Sequence, residues 1–269
     1  MRHQGMTRLT LAAGSGVLAG SAAVAADQPE VDRAGVDKAF EALKTYDWGS
    51  DRNTLNPIDE AVVATHGNVA ARKELEARLL AVLKSGASRS AKDYVCRTLK
   101  TIGTAASVPA LAALLADEDL SHIARYALER IPAPEAAAAM RQALSKLPDA
   151  LKAGTIGSLG VRRDDASVAA VAGFLGSANP AVARAAACAL GNIGTPEAGQ
   201  ALSDFAKKAS EGVKPAVADA LLVCAERLLA DGKKTEALAL YKSLSGEDQP
   251  RHVRLAATRG LLAAAGKKD

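Results

Sequence analysis

The sequence predicts an all-α fold, an α-solenoid in which antiparallel helix pairs stack with a period of about 31 residues. A small-residue helix followed by a Gly/Thr/Pro turn, as in Val182–Leu202, recurs along the chain. Leucines mark the recurrence at intervals of 29, 31, 31 and 31 residues: Leu99, Leu128, Leu159, Leu190 and Leu221. Apolar residues make up 49% of the chain but aromatic residues only 3%, because alanine, the best helix former, supplies much of the total.

The first 25 residues are typical of a secretory signal peptide. Basic residues (Arg2, His3 and Arg8) precede the apolar run Leu9–Ala19, and Ala23-Val24-Ala25 supplies a cleavage site before Ala26. The alternative is an uncleaved anchor, but the run is shorter than the ~20 residues that a membrane span needs. We therefore expect a periplasmic or secreted protein with no membrane span after removal of the signal.

Residues 26–89 predict a helical cap and an irregular first helix pair. Val31–Tyr46 is amphipathic, and a second helix is expected to begin at Pro57, with Asn56 as its cap, and to stop near Gly67. Asn68 is expected to cap a third helix that ends at Gly86. Trp48, between the first two helices, has two interpretations. It plugs the open end of the first repeat, or it forms an exposed platform for a ligand.

Residues 90–269 form the predicted regular array. The first helix of each pair carries an apolar residue eight positions before the marked leucine, and the second helix carries apolar or small residues 9, 12 and 16 positions after it, on one helical face. The first set is Ala91, Leu120, Leu151, Val182, Val213 and, in the last copy, Val253. The second set is Val108, Leu111, Leu115, Ala137, Met140, Leu144, Val168, Val171, Leu175, Gly199, Leu202 and Ala206.

These motifs resemble HEAT-like repeats, specifically the short bacterial kind also seen in phycobilin-lyase-type proteins. The residues that carry the resemblance are Arg184, Ala189-Leu190-Gly191, Ile193-Gly194-Thr195 and Ile102-Gly103-Thr104. One segment departs from the pattern, because residues 215–245 look like a tetratricopeptide pair. The resemblance implies a helical stack with second helices on its concave side and a protein partner bound to its surface.

The sequence offers no constellation for catalysis, for a cofactor or for a metal. His66, His122 and His252 are scattered and no His-Glu pair occurs, so an iron site of two histidines and a carboxylate is not expected. Without Arg2 and Arg8, 32 basic residues are interspersed with 30 acidic ones, and no basic stripe for nucleic acid stands out. Arg162–Asp165 reads as a solvated turn or, alternatively, as a contact for an acidic partner. The three cysteines read as buried small apolar residues.

A partner-binding face is predicted on the second helices, opposite their apolar frame. The middle of this face is alanine and glycine and its edge is polar, so close approach of a partner backbone is expected. The residues predicted to contact a protein partner are Ala139, Gln142, Ala170, Gln200, Asp204 and Lys208. The alternative is a plain solvated helix face, since alanine is simply a good helix former.

The functional prediction is a monomeric, exported interaction scaffold that binds a protein partner and has no catalysis of its own. The alternative is a lyase-like or enzyme-accessory module that acts on a bound small molecule. The repeat architecture favours the scaffold, because no nucleophile, base or metal ligand set supports the second reading.

Overall fold

A computed structural model describes residues 32–266, and every regular element in that range is helical. No β-strand occurs among these residues, which confirms the all-α prediction. The predicted signal peptide lies outside the described residues. The helices are α1 (Arg33–Thr45), α2 (Asn56–Ala64), α3 (Val69–Leu83), α4 (Arg89–Ile102), α5 (Val108–Ala113), α6 (Ser121–Arg130), α7 (Pro134–Ala143), α8 (Asp149–Arg162), α9 (Val168–Ala172), α10 (Pro180–Ile193), α11 (Pro196–Ala206), α12 (Lys214–Ala230), α13 (Lys234–Leu244) and α14 (Arg251–Gly266).

The predicted repeat frame is confirmed. Helices α4, α6, α8, α10, α12 and α14 are the first helices of successive pairs, and α5, α7, α9, α11 and α13 are the second helices. The five marked leucines are all buried, one in each layer. Successive first helices pack against each other, α4 on α6, α6 on α8, α8 on α10 and α10 on α12. The periodic apolar frame of the sequence is therefore the continuous core of a solenoid.

Small residues allow the first helices to approach one another closely. A Cβ atom added to Gly160 of α8 would lie 2.7 Å from Cα of Ala189, and one added to Gly191 of α10 would lie 2.6 Å from the carbonyl oxygen of Ala220. Neither position has room for a side chain. The core between α8 and α12 is thus built from close backbone contact, which explains why the chain needs so few aromatic residues.

The recurrent Gly/Thr/Pro turn ends one helix and caps the next. Gly194 follows α10 in the left-handed region at φ 72°, where glycine has no steric penalty. The side chain of Thr195 accepts a hydrogen bond from the Ala198 amide at 3.2 Å, and Pro196 occupies the first turn of α11. The equivalent left-handed residue after α8 is Arg163, at φ 52°.

Three second helices are shorter than the repeat predicts. Helix α5 ends at Ala113, α7 at Ala143 and α9 at Ala172. Leu115, Leu144 and Leu175 therefore lie in the turns that follow, although all three are still buried. Three frame positions, at Leu151, Val168 and Ala206, are half-buried. Gly199 occupies a frame position without a side chain. A Cβ atom there would lie 3.1 Å from Cδ1 of Leu240 and 3.3 Å from Sγ of Cys224, so these two side chains fill the space instead.

The N-terminal region contains α1, α2 and α3, and α1 covers the start of the array with Phe40 and Leu43, both buried. Asn68 caps α3 as predicted, accepting a hydrogen bond from the Ala71 amide at 3.0 Å. Asn56 does not cap α2, since it is already the first residue of that helix. The prediction that Trp48 plugs the first repeat is wrong, because its side chain is 95% exposed.

A buried glutamate joins α3 to the first regular pair. Glu76 is only 2% exposed, and its carboxylate accepts hydrogen bonds from the amide of Thr104 at 2.7 Å and from its hydroxyl at 3.0 Å. The buried Ser107 hydroxyl is a third donor. Glu76 therefore provides the hydrogen-bond acceptor for the polar groups of Thr104 and Ser107, in the turn that leads into α5.

Across residues 32–266 we find no helix that combines the length and the apolar character required to cross a membrane.

Candidate functional site

A groove of about 840 Å³ lies at the N-terminal end of the array, between α4 and the segment that runs from Tyr46 into α2. Its size is within the range of ligand-binding clefts. Helix α4 supplies seven of the residues along one side: Arg89, Ser90, Asp93, Tyr94, Arg97, Thr98 and Thr101. The other side is formed by Tyr46, Asp47, Trp48, Gly49, Arg52, Asp59 and Val62.

The groove exists because the stack of first helices is interrupted before α4. In the regular array the first helices pack on one another, most extensively α8 on α10. Helix α2 is the corresponding neighbour of α4, but it has only nine residues and touches α4 at few points, whereas α3 packs along it. One face of α4 is consequently left open to solvent.

The loop that carries Trp48 is held by short hydrogen bonds. Oδ1 of Asp47 accepts from the Trp48 amide at 2.8 Å and from the Ser90 hydroxyl at 3.1 Å, which ties the loop to α4. Gly49 follows with φ 86°. The hydrogen bond from the Trp48 amide, followed by that from Ser90, lowers the pKa of Asp47. The backbone of the loop is thus fixed while the indole itself projects into solvent.

At the floor of the groove the side chains of Arg52, Asp59 and Tyr94 all contact one another. Arg52 pairs with Asp59 at 2.7 Å and lies over the ring of Tyr94, 4.8 Å from its centroid. The Tyr94 hydroxyl donates to Oδ1 of Asp59 at 3.0 Å. Burial, followed by the negative charge of Asp59, raises the pKa of Tyr94, so the phenol stays protonated as a donor.

Charged side chains follow the open face of α4. Arg97 and Asp93 form an ion pair at 2.6 Å, and Arg89 lies 3.9 Å from Asp119. The side chains of Arg89 and Arg97 are 69% and 60% exposed. This face therefore offers donors and an acceptor to anything that enters the groove.

The groove concentrates the few large aromatic residues of the chain. It contains the single tryptophan and two of the four tyrosines, together with three arginines. Trp, Tyr and Arg are the residue types most enriched at the energetic centres of protein–protein interfaces. The sequence signalled only Trp48 here, because Tyr94 lies within the apolar pattern of α4 and reads as core.

The predicted partner-binding residues lie elsewhere, on the second helices. Ala170, Gln142, Gln200, Asp204 and Lys208 are exposed, and Ala139 is half-buried against the core. The structure brings two of them together: Nε2 of Gln200 donates to Asp204 at 3.0 Å, which lowers the pKa of that carboxyl. The role of this face stays a prediction.

No cluster of metal-binding side chains occurs in the part of the chain that the structure describes, and its three histidines are exposed and far apart in sequence. The reading of all three cysteines as buried is wrong for one of them. Cys96 and Cys224 are buried, but Cys188 is exposed, because a residue two positions before Leu190 points about 200° away from it around the helix.

The run Arg162–Asp165 is neither a solvated turn nor a free acidic-partner contact. Arg162 donates at 2.6 Å to the carbonyl oxygens of Leu128 and Ile131 in the preceding layer. Arg163 pairs with Asp231 at 2.6 Å, and Asp164 pairs with Arg141. Three of the four charges therefore join this turn to other helix pairs of the array, and Asp165 is exposed.

Residues 137–222 match the sequence model of HEAT repeats, which confirms the HEAT-like resemblance over that range. No curated protein matches the chain in sequence. The matched range runs from α7 into α12, within the helical solenoid.

Solved structures similar to this chain include two engineered proteins from the Northeast Structural Genomics Consortium and a human enzyme. The first engineered protein is 18% identical, with 87% of this chain and 69% of that chain covered and a TM-score of 0.42. Human deoxyhypusine hydroxylase in complex with glycerol is 16% identical, with coverages of 86% and 96% and a TM-score of 0.37. The second engineered protein is 19% identical, with coverages of 86% and 96% and a TM-score of 0.31. At these TM-scores the likeness carries no argument about function.

Proposed function

We propose that this HEAT-like repeat protein is an exported scaffold that binds a partner protein at the groove beside α4. The observation that carries the proposal is the exposure of Trp48. Its side chain is 95% exposed beside the groove, while its backbone amide is held by a hydrogen bond to Asp47. Because the backbone of Trp48 is already fixed, only its side-chain torsions are ordered on binding, and the indole has a large apolar area to bury. Tyr94 and Arg52 line the same groove.

The proposed export places the partner in the cell envelope or outside the cell. The basic, apolar and Ala-x-Ala regions of residues 1–25 are the basis for placing the protein in the periplasm or outside the cell. N-terminal sequencing of the protein recovered from its native host should give Ala26 as the first residue. Recovery of chains that begin at Met1 from the cytoplasm as the main species would contradict export.

The binding proposal is tested by quantitative affinity capture. The tagged full chain and its Trp48→Ala variant are incubated with cell-envelope extract, and bound proteins are compared by mass spectrometry. Removal of a central tryptophan should weaken capture of the partner by a factor of about 30, the equivalent of about 2 kcal/mol. The helical circular dichroism should not change, because the indole contributes little to the packed core.

Leu262→Ala is the matched control, since Leu262 is an exposed apolar residue of α14 at the other end of the chain. It should capture as much partner as the wild type. Equal capture by Trp48→Ala and wild type would refute the groove as the binding site.

The second-helix face is a separate contact in the same proposal. Ala170 is exposed and Ala139 is half-buried, so a bulky side chain at Ala170 tests the face without disturbing the core. Ala170→Trp should abolish capture with an unchanged helical signal if a partner backbone approaches there. Unchanged capture would leave this surface as a plain solvated helix face.

A further inference from the structure

The open face of α4 carries polar side chains at a regular spacing. Arg89, Asp93, Arg97 and Thr101 follow one another at intervals of four residues and all line the groove. At 1.5 Å per residue the intervals are about 6 Å and the series is about 18 Å long. An extended peptide presents backbone groups on the same edge at every second residue, about 6.6 Å apart. The two spacings match over roughly five peptide residues.

The chemistry of the series alternates in the same way. Arg89 and Arg97 offer N–H donors, and the Asp93 carboxylate between them is an acceptor. Each residue on one edge of an extended chain presents both its carbonyl oxygen and its N–H. Asp93 and Arg97 already bond each other through Nε and one Nη of Arg97, but the other Nη of Arg97 and further lone pairs of the carboxylate are not used in that pair. Arg89 can therefore donate to one carbonyl, Asp93 accept from the N–H two residues on, and Arg97 donate to the next carbonyl through its other Nη.

The formal charges of the groove are already balanced within the chain. Arg52 is paired with Asp59, Arg97 with Asp93, and Arg89 lies near Asp119. Asp47, the third acid of the lining, accepts two hydrogen bonds from the chain itself. A charged side chain entering here would lose part of its water and meet a lining of three arginines and three aspartates that has no net charge, so an uncharged segment is favoured.

We propose that the groove binds the backbone of an extended, uncharged segment of about five residues from the partner, with one apolar side chain against the Trp48 indole. This assignment rests on the proposed function and adds the chemistry of the bound segment. Arg89, Asp93 and Arg97 form hydrogen bonds with the peptide backbone of the segment, and Trp48 packs against its apolar side chain.

The test uses the immobilised full chain and a phage-displayed library of random heptapeptides. Selected sequences are synthesised with blocked termini and a fluorescein label, and binding is measured by anisotropy. We expect sequences without charged residues that share one apolar position. Trp48→Ala, and separately the charge-neutral pair Asp93→Ala with Arg97→Ala, should each weaken binding about tenfold or more. Leu262→Ala should have no effect, and circular dichroism verifies that each variant is folded.

Two further measurements separate backbone recognition from ionic recognition. N-methylation of the peptide amides, one at a time, should weaken binding at alternate positions only. Affinity should change by less than about twofold between about 50 and about 500 mM NaCl, because no net charge is neutralised. A shared Asp, Glu, Lys or Arg with steep salt dependence would overturn the assignment, as would an N-methyl series without effect.

The outcomes also separate this assignment from the proposed function. If no selected peptide depends on Trp48, the assignment is refuted, and cellohexaose and chitohexaose are then titrated against the wild type and Trp48→Ala. If either sugar binds the wild type but not Trp48→Ala, the groove is a glycan-binding site. If the partner captured from extract still depends on Trp48, the proposed function stands and only the extended segment is wrong.

Discussion

Replacement of Glu76 by alanine should destabilise the protein by about 2–4 kcal/mol. Its carboxylate accepts from the amide and hydroxyl of Thr104 and from Ser107, and a hydrogen bond to a charged group contributes about 1.5–3 kcal/mol. Against that sum stands the cost of burying the carboxylate, several kcal/mol, which alanine removes. The Ser107 hydroxyl, fully buried, is left without this acceptor, so the net effect remains unfavourable.

Guanidinium denaturation followed by helical circular dichroism measures this loss. Near-ultraviolet circular dichroism of the buried Tyr94 and Tyr241 is the second probe, and coincident transitions justify a two-state free energy. Glu76→Gln keeps an acceptor oxygen and should cost less than the alanine variant. Glu74→Ala, at an exposed position of the same helix, is the control and should change stability by less than about 0.5 kcal/mol. A Glu76→Ala variant as stable as the control would refute the view that this carboxylate joins α3 to the array.

Three further predictions follow from burial and from the pKa directions. Leu190→Ala should cost about 2–5 kcal/mol in the same denaturation assay, and a cost below about 1 kcal/mol would mean that the layer can collapse around it. A maleimide should label only Cys188 in the native protein near neutral pH, because Cys188 is exposed whereas Cys96 and Cys224 are buried. Burial raises the pKa of all three thiols, to about 12 for Cys96 and about 11 for Cys224; two labels per chain by mass spectrometry would contradict this prediction. The Asp47 carboxyl has a pKa below its ordinary 3.8. The stability that its hydrogen bonds give to the Trp48 loop is therefore complete above pH 3.8 and is lost as the pH falls through the lowered pKa. Trp48 emission should therefore be constant between about pH 7 and pH 5 and change only below about pH 4, and Asp47→Asn should lack that transition.

The solenoid could be predicted from the sequence because one buried leucine in each layer imposes a period that persists from Leu99 to Leu221. The same period could have placed the cysteines. Cys96 and Cys224 are each three residues from a marked leucine, about 60° away around the helix, whereas Cys188 is two residues away and faces outward.

The groove could not be predicted in this way, because it arises where the period fails. Its opening depends on the length of α2 and on how little that helix touches α4, and both are results of tertiary packing in an irregular segment. Tyr94 carries no signal of its own, since a tyrosine in an apolar helical pattern is most often core. Trp48 carried a signal, but the sequence could not decide between a plug and a platform.

The use of arginine separates the array from the groove. Arg125 donates to the Gly154 carbonyl oxygen at 2.9 Å, and Arg162 donates to carbonyl oxygens at the end of α6, so both side chains join layers. Arg89 and Arg97 donate to no backbone carbonyl among their described hydrogen bonds and keep most of their side chains in water, and Arg97 uses only Nε and one Nη, on Asp93. Because a partner gains hydrogen bonds only from donors that the fold has not already used, the open face of α4 is a better binding surface than the arginines of the regular layers. The interruption of the stack that exposes α4 is, on this reasoning, what makes a binding surface out of a structural repeat.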